Sequence, residues 1–239
     1  TEAGFMMLPM VAGMMTATII SGQITSRTGK YKPFMVIGPI LLSLGYLYLT
    51  SFSADTEYWQ ASIGMVLIGL GLGQLMQTLT LAAQNSVPAS EVGVATSSAT
   101  FFRQIGGSLG VAVFLSILFN NLKDTIPAAF KRSDVQAGLQ AAMQDKKVLA
   151  DPNNAEFLKN LQSNPGALSD QLSTDSSFLN HLDPRLARPF LIGFSEAGVT
   201  VFWAAGIVVA LSIILAIFIK APKLREKSAM QEAAQAAAH

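Results

Sequence analysis

Charge and cysteine are the features that this sequence most clearly lacks. Only 13% of the 239 residues are charged, and 51% are hydrophobic, whereas an ordinary soluble domain has about 25% charged residues. The absence of cysteine excludes disulfides, thiolate metal sites and a cysteine nucleophile. The two histidines, His181 and His239, are too few for a multi-histidine metal site, and no cofactor is expected. The net charge of +1 argues against a nucleic-acid-binding surface.

Long apolar segments account for the hydrophobic excess. Each has about 20 residues or more, the length that crosses a hydrocarbon core of about 30 Å. Their only charged residue is Arg103. We therefore predict an all-α membrane protein with five transmembrane helices, at residues 4–24, 33–52, 60–82, 93–119 and 197–219.

Basic residues in the short connections predict the orientation of these helices. The short segments on one side, 1–3 and 53–59, contain no Lys or Arg. Those on the other side, within 25–32, 83–92 and 220–239, contain Arg27, Lys30, Lys32, Lys220, Lys223, Arg225 and Lys227. By the positive-inside rule the basic side is cytoplasmic, which predicts a multi-pass protein of the plasma membrane with a cytoplasmic C-terminus. Thr1 then lies outside, and we expect a further helix upstream of it.

Residues 120–196 differ from the rest, because they are polar and rich in Asn, Asp, Ser and Pro. They predict an extracytoplasmic loop of short helices. Ser133 is expected to N-cap one helix, and the Asp-Pro pairs at 151–152 and 183–184 to begin two more, the last continuing into the final span. The first of these helices has an apolar side formed by Val135, Leu139 and Met143.

Two roles for this loop remain open. It is either a passive cover or a device that guides a lipophilic substrate as it leaves. As an alternative function, the whole chain is a membrane binding or assembly protein that docks a partner at 120–196. The docking side chains would be Leu139, Leu158, Leu161, Leu172, Phe178 and Leu182.

Glycines in the apolar spans predict close helix packing, since small residues let membrane helices approach one another. Gly69, Gly71 and Gly73 lack the strand and the spacing of a dinucleotide-binding loop. Gly106, Gly107 and Gly110 form a second such set.

Amide side chains mark the third span. Gln74, Gln77 and Gln84 share one helical face, and uncharged amides at membrane depth need hydrogen-bond partners. The face therefore either holds helices together or lines a wet cavity on a substrate path.

The fourth span has a polar face beside a single charge. Ser97, Thr100, Gln104 and Ser108 follow spacings of three and four residues, and Arg103 lies next to them. An arginine facing lipid at that depth is costly. We expect Arg103 either to extend to the inner membrane surface or to pack inward as a fixed positive charge beside the substrate path.

The first span is rich in methionine. Met10 and Met14 share a face with Met7 and Thr18, and methionine suits variable apolar contacts. This face predicts either packing and lipid contact or a surface that contacts a drug. The spans contain no histidine and no paired carboxylates, so the protein is not expected to be an enzyme.

Two motifs carry a family resemblance. Gly22, Arg27, Gly29 and Lys30 match the pattern G-x-x-x-D-R-x-G-R/K, with Ser26 at the Asp position. They resemble the cytoplasmic loop signature of the major facilitator superfamily. A longer stretch begins at Gln84-Asn85 and continues through Pro88, Gly93, Arg103-Gln104 and Gly106-Gly107 to Gly110. It is similar to the fourteen-helix drug:proton antiporter branch, the EmrB/QacA-type multidrug exporters.

The resemblance implies that this chain supplies the last five helices of a C-terminal half built from inverted repeats. It implies a proton-coupled exporter of amphipathic or lipophilic compounds, drugs or lipids, that works by alternating access. The partners are then the lipid bilayer, the N-terminal half of the same transporter, a small lipophilic substrate and protons. The acids that bind protons are implied to lie mainly in the other half.

Overall fold

The computed structural model describes residues 2–163, 177–219, 221, 222 and 224. In this part of the chain all regular structure is helical, and short 3-10 helices precede α5 and α9. The α-helices are α1 (Glu2–Met6), α2 (Leu8–Thr28), α3 (Lys32–Leu49), α4 (Tyr58–Asn85), α5 (Val92–Phe130), α6 (Ser133–Gln144), α7 (Lys146–Ala150), α8 (Pro152–Ser163) and α9 (Pro184–Phe218).

Five helices, α2, α3, α4, α5 and α9, are long and apolar enough to cross a membrane. Each overlaps one predicted span, so the predicted all-α membrane fold is confirmed. Their ends differ from the prediction. The fourth span continues to Phe130, and the last helix begins at Pro184. The Asp-Pro pair at 183–184 therefore starts a helix that continues into the final span, as predicted.

Two of these helices are longer than a bilayer is thick. α5 has 39 residues and α9 has 35, which at about 1.5 Å per residue gives roughly 50–60 Å, against a hydrocarbon core of about 30 Å. Their charged residues other than Arg103 are Lys123, Asp124, Arg185, Arg188 and Glu196. The C-terminal turns of α5 and the N-terminal turns of α9 therefore belong in water.

The chain forms two compact units. Of the described residues, the first unit contains 2–52, 56–114, 202–219, 221, 222 and 224, and the second contains 53–55, 115–163 and 177–201. The first unit holds α1 to α4, and the second holds α6, α7 and α8. α5 and α9 contribute residues to both.

In the first unit, α4 contacts α2 through main-chain atoms. A Cβ added at Gly69 would collide with the carbonyl oxygen of Met10, and one added at Gly73 with that of Met14. A Cβ at Gly13 of α2 would lie 2.8 Å from the Val66 carbonyl oxygen. These glycines allow the two backbones to touch, which confirms the packing role predicted for Gly69 and Gly73.

On the neighbouring face of α4, Gly71 contacts the main chain of α3 in the same way, whereas Gly64 makes room for a leucine side chain of α3. A Cβ at Gly71 would lie 2.6 Å from the Gly38 carbonyl oxygen, and one at Gly64 would lie 2.6 Å from Leu49 Cδ2. Gly106 and Gly107 of α5 behave differently, since a Cβ at either would meet no described atom within 4 Å. The packing role predicted for that second glycine set is therefore not found in the described part of the chain.

The second unit has a hydrophobic core of its own. Buried side chains from α5, α6, α7, α8 and α9 meet in it, and the Phe190 ring packs edge-on against those of Phe130 and Phe157. Thr125 Oγ1 of α5 donates a hydrogen bond to the Gly193 carbonyl of α9 at 2.9 Å. The segment is therefore a folded helical unit.

The start of α6 differs from the prediction, whereas the start of α8 agrees with it. Arg132 occupies the N-cap position of α6 and Ser133 is the first helical residue, so the predicted Ser133 cap is wrong. Asp151 accepts a hydrogen bond from the Asn153 N–H at 2.8 Å, as expected of a capping residue. Met143, which was predicted to lie on the apolar side of α6, is 41% exposed. Its neighbour Ala142 is the residue that is buried in the core.

The docking surface predicted for this segment is also corrected. Leu139 and Leu158 are buried in the core of the second unit, and Phe178 and Leu182 pack against it. The side chain of Leu161 and all of Leu172 lie outside the described residues. The four described side chains are thus covered by their own unit and form no exposed docking face.

We predict that Gly13→Ala destabilises the protein and that Gly22→Ala does not. The Cβ added at Gly13 would meet the Val66 carbonyl oxygen at 2.8 Å, so the backbone must shift at a cost of about 1–3 kcal/mol. At Gly22 the nearest atom is Gln77 Nε2 at 3.9 Å, and alanine favours the helix. The melting temperatures of the two variants are measured by thermal unfolding of the full-length protein in detergent. Equal melting temperatures would contradict the proposed backbone contact.

Candidate functional site

A polar seam runs between α2 and α4, formed by Thr18, Gly22, Gly73 and Gln77. Thr18 Oγ1 donates to the Gly73 carbonyl at 3.1 Å and lies 2.8 Å from the carbonyl of Met14 on its own helix. Gly22 leaves room for the amide of Gln77, whose Nε2 lies 3.9 Å from the position of an added Cβ. The seam places hydroxyl and amide groups inside an otherwise apolar helix pair.

Gln74 lies one turn before Thr78 on α4. Its side-chain oxygen, Oε1, is buried and accepts no hydrogen bond from the described residues. An unsatisfied buried acceptor costs about 1–3 kcal/mol. Gln74 Oε1 shares this state with two hydroxyl oxygens of the neighbouring helices, Thr25 Oγ1 and Ser43 Oγ.

Gln84 has a different role from the other two amides. Its Nε2 donates to Thr96 Oγ1 at 3.0 Å, and Thr96 Oγ1 donates to the Val92 carbonyl at 2.8 Å. Gln84 thus links the end of α4 to the start of α5. This contact favours a role for Gln84 in holding helices together. Gln74 and Gln77 remain the candidates for lining a wet cavity on a substrate path.

The polar face predicted on α5 is present as one stripe. Ser97 and Thr100 donate to carbonyls of their own helix, at 3.0 Å and 2.9 Å, which satisfies these hydroxyls without another helix. Gln104 and Ser108 are exposed along the same stripe, and Arg103 lies exposed beside it. No described residue forms a hydrogen bond or an ion pair with the Arg103 guanidinium.

The methionines of α2 are partly covered. Met10 packs against the buried cluster of Leu42, Leu49 and Ile68, which favours the packing interpretation for this residue. Met14 is half-buried beside Gly73 of α4. Met14 and Met10 thus lie about one and two turns before Thr18 on α2.

The cytoplasmic loop motif lies mostly on a helix. α2 continues to Thr28, so Gly22 and Arg27 are helical and the turn is shorter than the predicted 25–32. Gly29 ends the helix with φ 68°, and its N–H donates to the Thr25 carbonyl at 2.8 Å. Glycine is favoured there because other residues resist this left-handed conformation. Arg27 and Lys30 are exposed.

Three buried polar residues of α2 and α4 were not predicted. Ser21 and Thr25 are each 1% exposed, and Thr78 is fully buried. The signal was present in the sequence, because Thr18, Ser21 and Thr25 follow the spacing of one helical face.

In the second unit, Arg185 joins two carboxylates. Its Nη2 donates to Asp145 Oδ2 at 3.0 Å, and its Nε donates to Asp183 Oδ1 at 2.9 Å. These hydrogen bonds from Arg185 lower the pKa of both carboxyl groups below the ordinary value, and the Lys147 N–H adds to the effect at Asp145. Buried Asn154 completes the arrangement by accepting from the Asp183 N–H at 2.9 Å.

These side chains line a cavity of about 410 Å³. Its other charged or polar members are Lys147, Asp151 and His181. Such a lining does not suit a lipophilic ligand. No group of His, Cys, Asp and Glu that could hold a metal ion is found among the described residues.

A second arginine of α9 holds the connection between α3 and α4. Arg188 donates from Nη1 and Nη2 to the two carboxylate oxygens of Asp55, at 3.0 Å and 3.2 Å. Paired contacts of this kind fix orientation as well as distance. Residues 53–55 are thereby held within the second unit.

Comparison with known proteins finds a matching family model and relatives that are named as transporters. A sequence model of the Major Facilitator Superfamily matches residues 1–111. The chain is 33% identical over 233 residues to the multidrug transporter protein MdtP of Bacillus subtilis (strain 168), an alignment that covers 96% of this chain and 41% of that protein. It is 27% identical over 236 residues to the tetracycline resistance determinant of Streptomyces rimosus, covering 97% of this chain and 65% of that protein.

A third relative is an uncharacterized MFS-type transporter of Mycobacterium tuberculosis (strain H37Rv). It is 37% identical over 129 residues, which are 54% of this chain and 19% of that protein. No solved structure gives a significant match.

The apolar helices and the family match together define a multi-pass membrane protein whose first 111 residues match the Major Facilitator Superfamily. The chain spans about two fifths of the length of MdtP and about two thirds of that of the tetracycline determinant, at 41% and 65%. Two of these three relatives are named as transporters, which supports the prediction of a non-enzymatic role.

The Arg185 ion pairs predict a pH-dependent contribution to stability. Because folding lowers the pKa of Asp145 and Asp183, this contribution is present above the ordinary carboxyl pKa of about 3.9. It is lost as the pH falls through the lower folded values. Arg185→Met removes the guanidinium, and we expect it to lower the melting temperature by a few degrees at neutral pH.

Thermal unfolding of both proteins is measured from about pH 7 to about pH 3. The difference in melting temperature between the wild type and Arg185→Met should become smaller as the pH approaches about 3. A difference that stays constant across this range would contradict the assigned ion pairs.

Proposed function

We propose that this chain is part of a proton-coupled secondary active exporter that moves amphipathic or lipophilic compounds, drugs or lipids, by alternating access. The observation that carries the proposal is its similarity, over 96% of its length, to a protein named as a multidrug transporter. The tetracycline resistance determinant, matched over 97% of the chain, supports the same class of substrate. The longer sequence motif, from Gln84 to Gly110, favours the fourteen-helix drug:proton antiporter branch.

In the proposed orientation, Thr1 and the second unit lie outside the plasma membrane, and the C-terminus lies in the cytoplasm. The turn after α2 and the connection between α4 and α5 are then cytoplasmic. Support comes from the seven basic residues on that side, where the opposite short segments have none.

The proposed substrate path passes the polar groups of α4 and α5. Gln74 and Gln77 offer uncharged amides within apolar surroundings, a combination that suits ligands with one polar and one apolar part. The stripe of Ser97, Thr100 and Gln104 adds neutral hydrogen-bonding groups, and Arg103 adds a fixed positive charge beside them. Met10 and Met14 supply adaptable apolar contact.

Proton coupling is proposed to depend on the N-terminal half of the same transporter. The parts of α2 to α5 and α9 that cross the hydrocarbon contain no Asp or Glu. Acids that take up protons at membrane depth would therefore come from the other half. Arg103, which has no acidic partner among the described residues, would be adjacent to that half.

The second unit is proposed to serve as an outer cover. Its described leucines and phenylalanines fill its own core, so they support neither partner docking nor a lipophilic guide. The polar lining of its cavity also favours a cover over a guiding surface.

Cysteine labelling tests the orientation, because this chain contains no cysteine. Glu156→Cys, exposed on α8, is expected to react with a membrane-impermeant maleimide in intact cells. Ser90→Cys, exposed between α4 and α5, is expected to react only after the cells are opened. Any cysteines elsewhere in the full-length protein are replaced beforehand. The reverse labelling pattern would overturn the orientation.

Export of ethidium by the full-length protein under a proton gradient tests the path. Gln77→Leu removes the amide that is proposed to hydrogen-bond the substrate and should slow export by about twofold to tenfold. Gln23→Leu changes an exposed amide on α2 and serves as the matched control.

Arg103 is tested in the same assay. Arg103→Ala should slow export by about tenfold or more, and Arg103→Lys should slow it much less, because lysine keeps the positive charge. Normal export by Arg103→Ala would show that the side chain only extends to the membrane surface.

A further inference from the structure

The side chain of Asn85, the last residue of α4, connects two distant parts of the first unit. Its Nδ2 donates to Tyr31 Oη at 3.4 Å and to the Pro222 carbonyl at 3.4 Å. Tyr31 is the N-cap residue of α3, and Pro222 follows α9. One amide therefore joins the end of α4, the start of α3 and the segment after the last helix.

A main-chain hydrogen bond fastens the same segment to α2. The Leu224 N–H donates to the Gly29 carbonyl at 3.0 Å. Gly29 is the left-handed residue that ends α2. Because its own N–H is bonded to Thr25 of α2, the carbonyl that receives Leu224 is held in place by the helix.

The Tyr31 side chain is enclosed where these elements meet. It is 2% exposed and is the largest of the fully buried side chains in the described chain. Tyr31 lies between α2 and α3, two residues after Gly29, which accepts the hydrogen bond from Leu224. The contact thus combines three hydrogen bonds with a buried ring.

We propose that the described residues Ala221, Pro222 and Leu224, which follow α9, act as a strap that fastens the end of α9 to the shared end of α2, α3 and α4, with Asn85 as its positioning residue. Elsewhere in the first unit, α9 meets α3 and α4 through apolar contacts, since Phe202 and Val209 pack against the cluster of Leu42, Leu49 and Ile68. Apolar contacts alone hold membrane helices weakly, because lipid tails compete with them. The strap supplies a directional attachment that lipid cannot replace.

The strap is defined by contacts within this chain, so its test needs no transport substrate. In every protein compared, Lys223, Arg225 and Lys227 are changed to Gln, so that Lys220 is the trypsin site next to the strap. The full-length protein in lipid nanodiscs is digested with trypsin, and cleavage between Lys220 and Ala221 is followed by mass spectrometry. Leu224→Pro removes the N–H that bonds to Gly29, whereas Leu224→Ala keeps it. Asn85→Ala removes the side-chain donor, and Ser86→Ala is its control, since Ser86 bonds only to Ala83 of its own helix in the described contacts.

Cleavage at this bond reports how often the strap opens. We expect Leu224→Pro and Asn85→Ala to be cut about tenfold faster than the wild type, and the two controls to be cut within about twofold of it. Leu224→Pro changes a residue outside every helix, so it tests the strap even if Asn85→Ala fails to fold. Equal cleavage of Leu224→Pro, Leu224→Ala and the wild type would overturn the proposal.

Discussion

Contact between main chains along α4 is the constraint on which the first unit depends. Lipid tails are as apolar as leucine, so helices in a bilayer associate through close packing rather than through exclusion of water. α4 achieves this on two faces, with Gly69 and Gly73 toward α2 and Gly64 and Gly71 toward α3. The polar seam follows from the same contact, because Thr18 reaches the Gly73 carbonyl where no side chain intervenes.

The second unit is stabilised by different physics. Its helices enclose phenylalanine and leucine side chains, as expected where water drives apolar groups together. Its partly exposed surface carries ion pairs that α2, α3 and α4 lack, such as those of Arg185 and Arg188. α5 and α9 pass between these two environments, and their composition changes from nearly uncharged to charged along the way.

The sequence predicts the membrane helices well, because an apolar run of about 20 residues has few other stable arrangements. The extension of α5 to Phe130 was missed because five of the six residues 120–125 are polar or charged and Pro127 follows them. Leu122, Ile126 and Ala129 nevertheless follow helical spacing and are buried. An amphipathic pattern shows that one face is covered, but not by what, so the sequence left open whether Leu139 and Leu158 face a partner, as in the alternative hypothesis, or their own core. The seam and Asn85 depend on contacts between distant segments, which one sequence does not reveal.

The contact between Thr125 and Gly193 also restricts how α5 turns about its own axis. A Cβ at Gly193 would lie 2.6 Å from Ile126 Cγ1, so the two helices meet too closely there for either to roll past the other. Each residue of an α-helix advances by about 100°, and the rotational setting at Thr125 therefore decides which α5 side chains of the second unit face its core. Leu122 and Ala129 lie about one turn before and one turn after Thr125 and are buried in that core. A rotation of α5 at this contact would carry both side chains out of it.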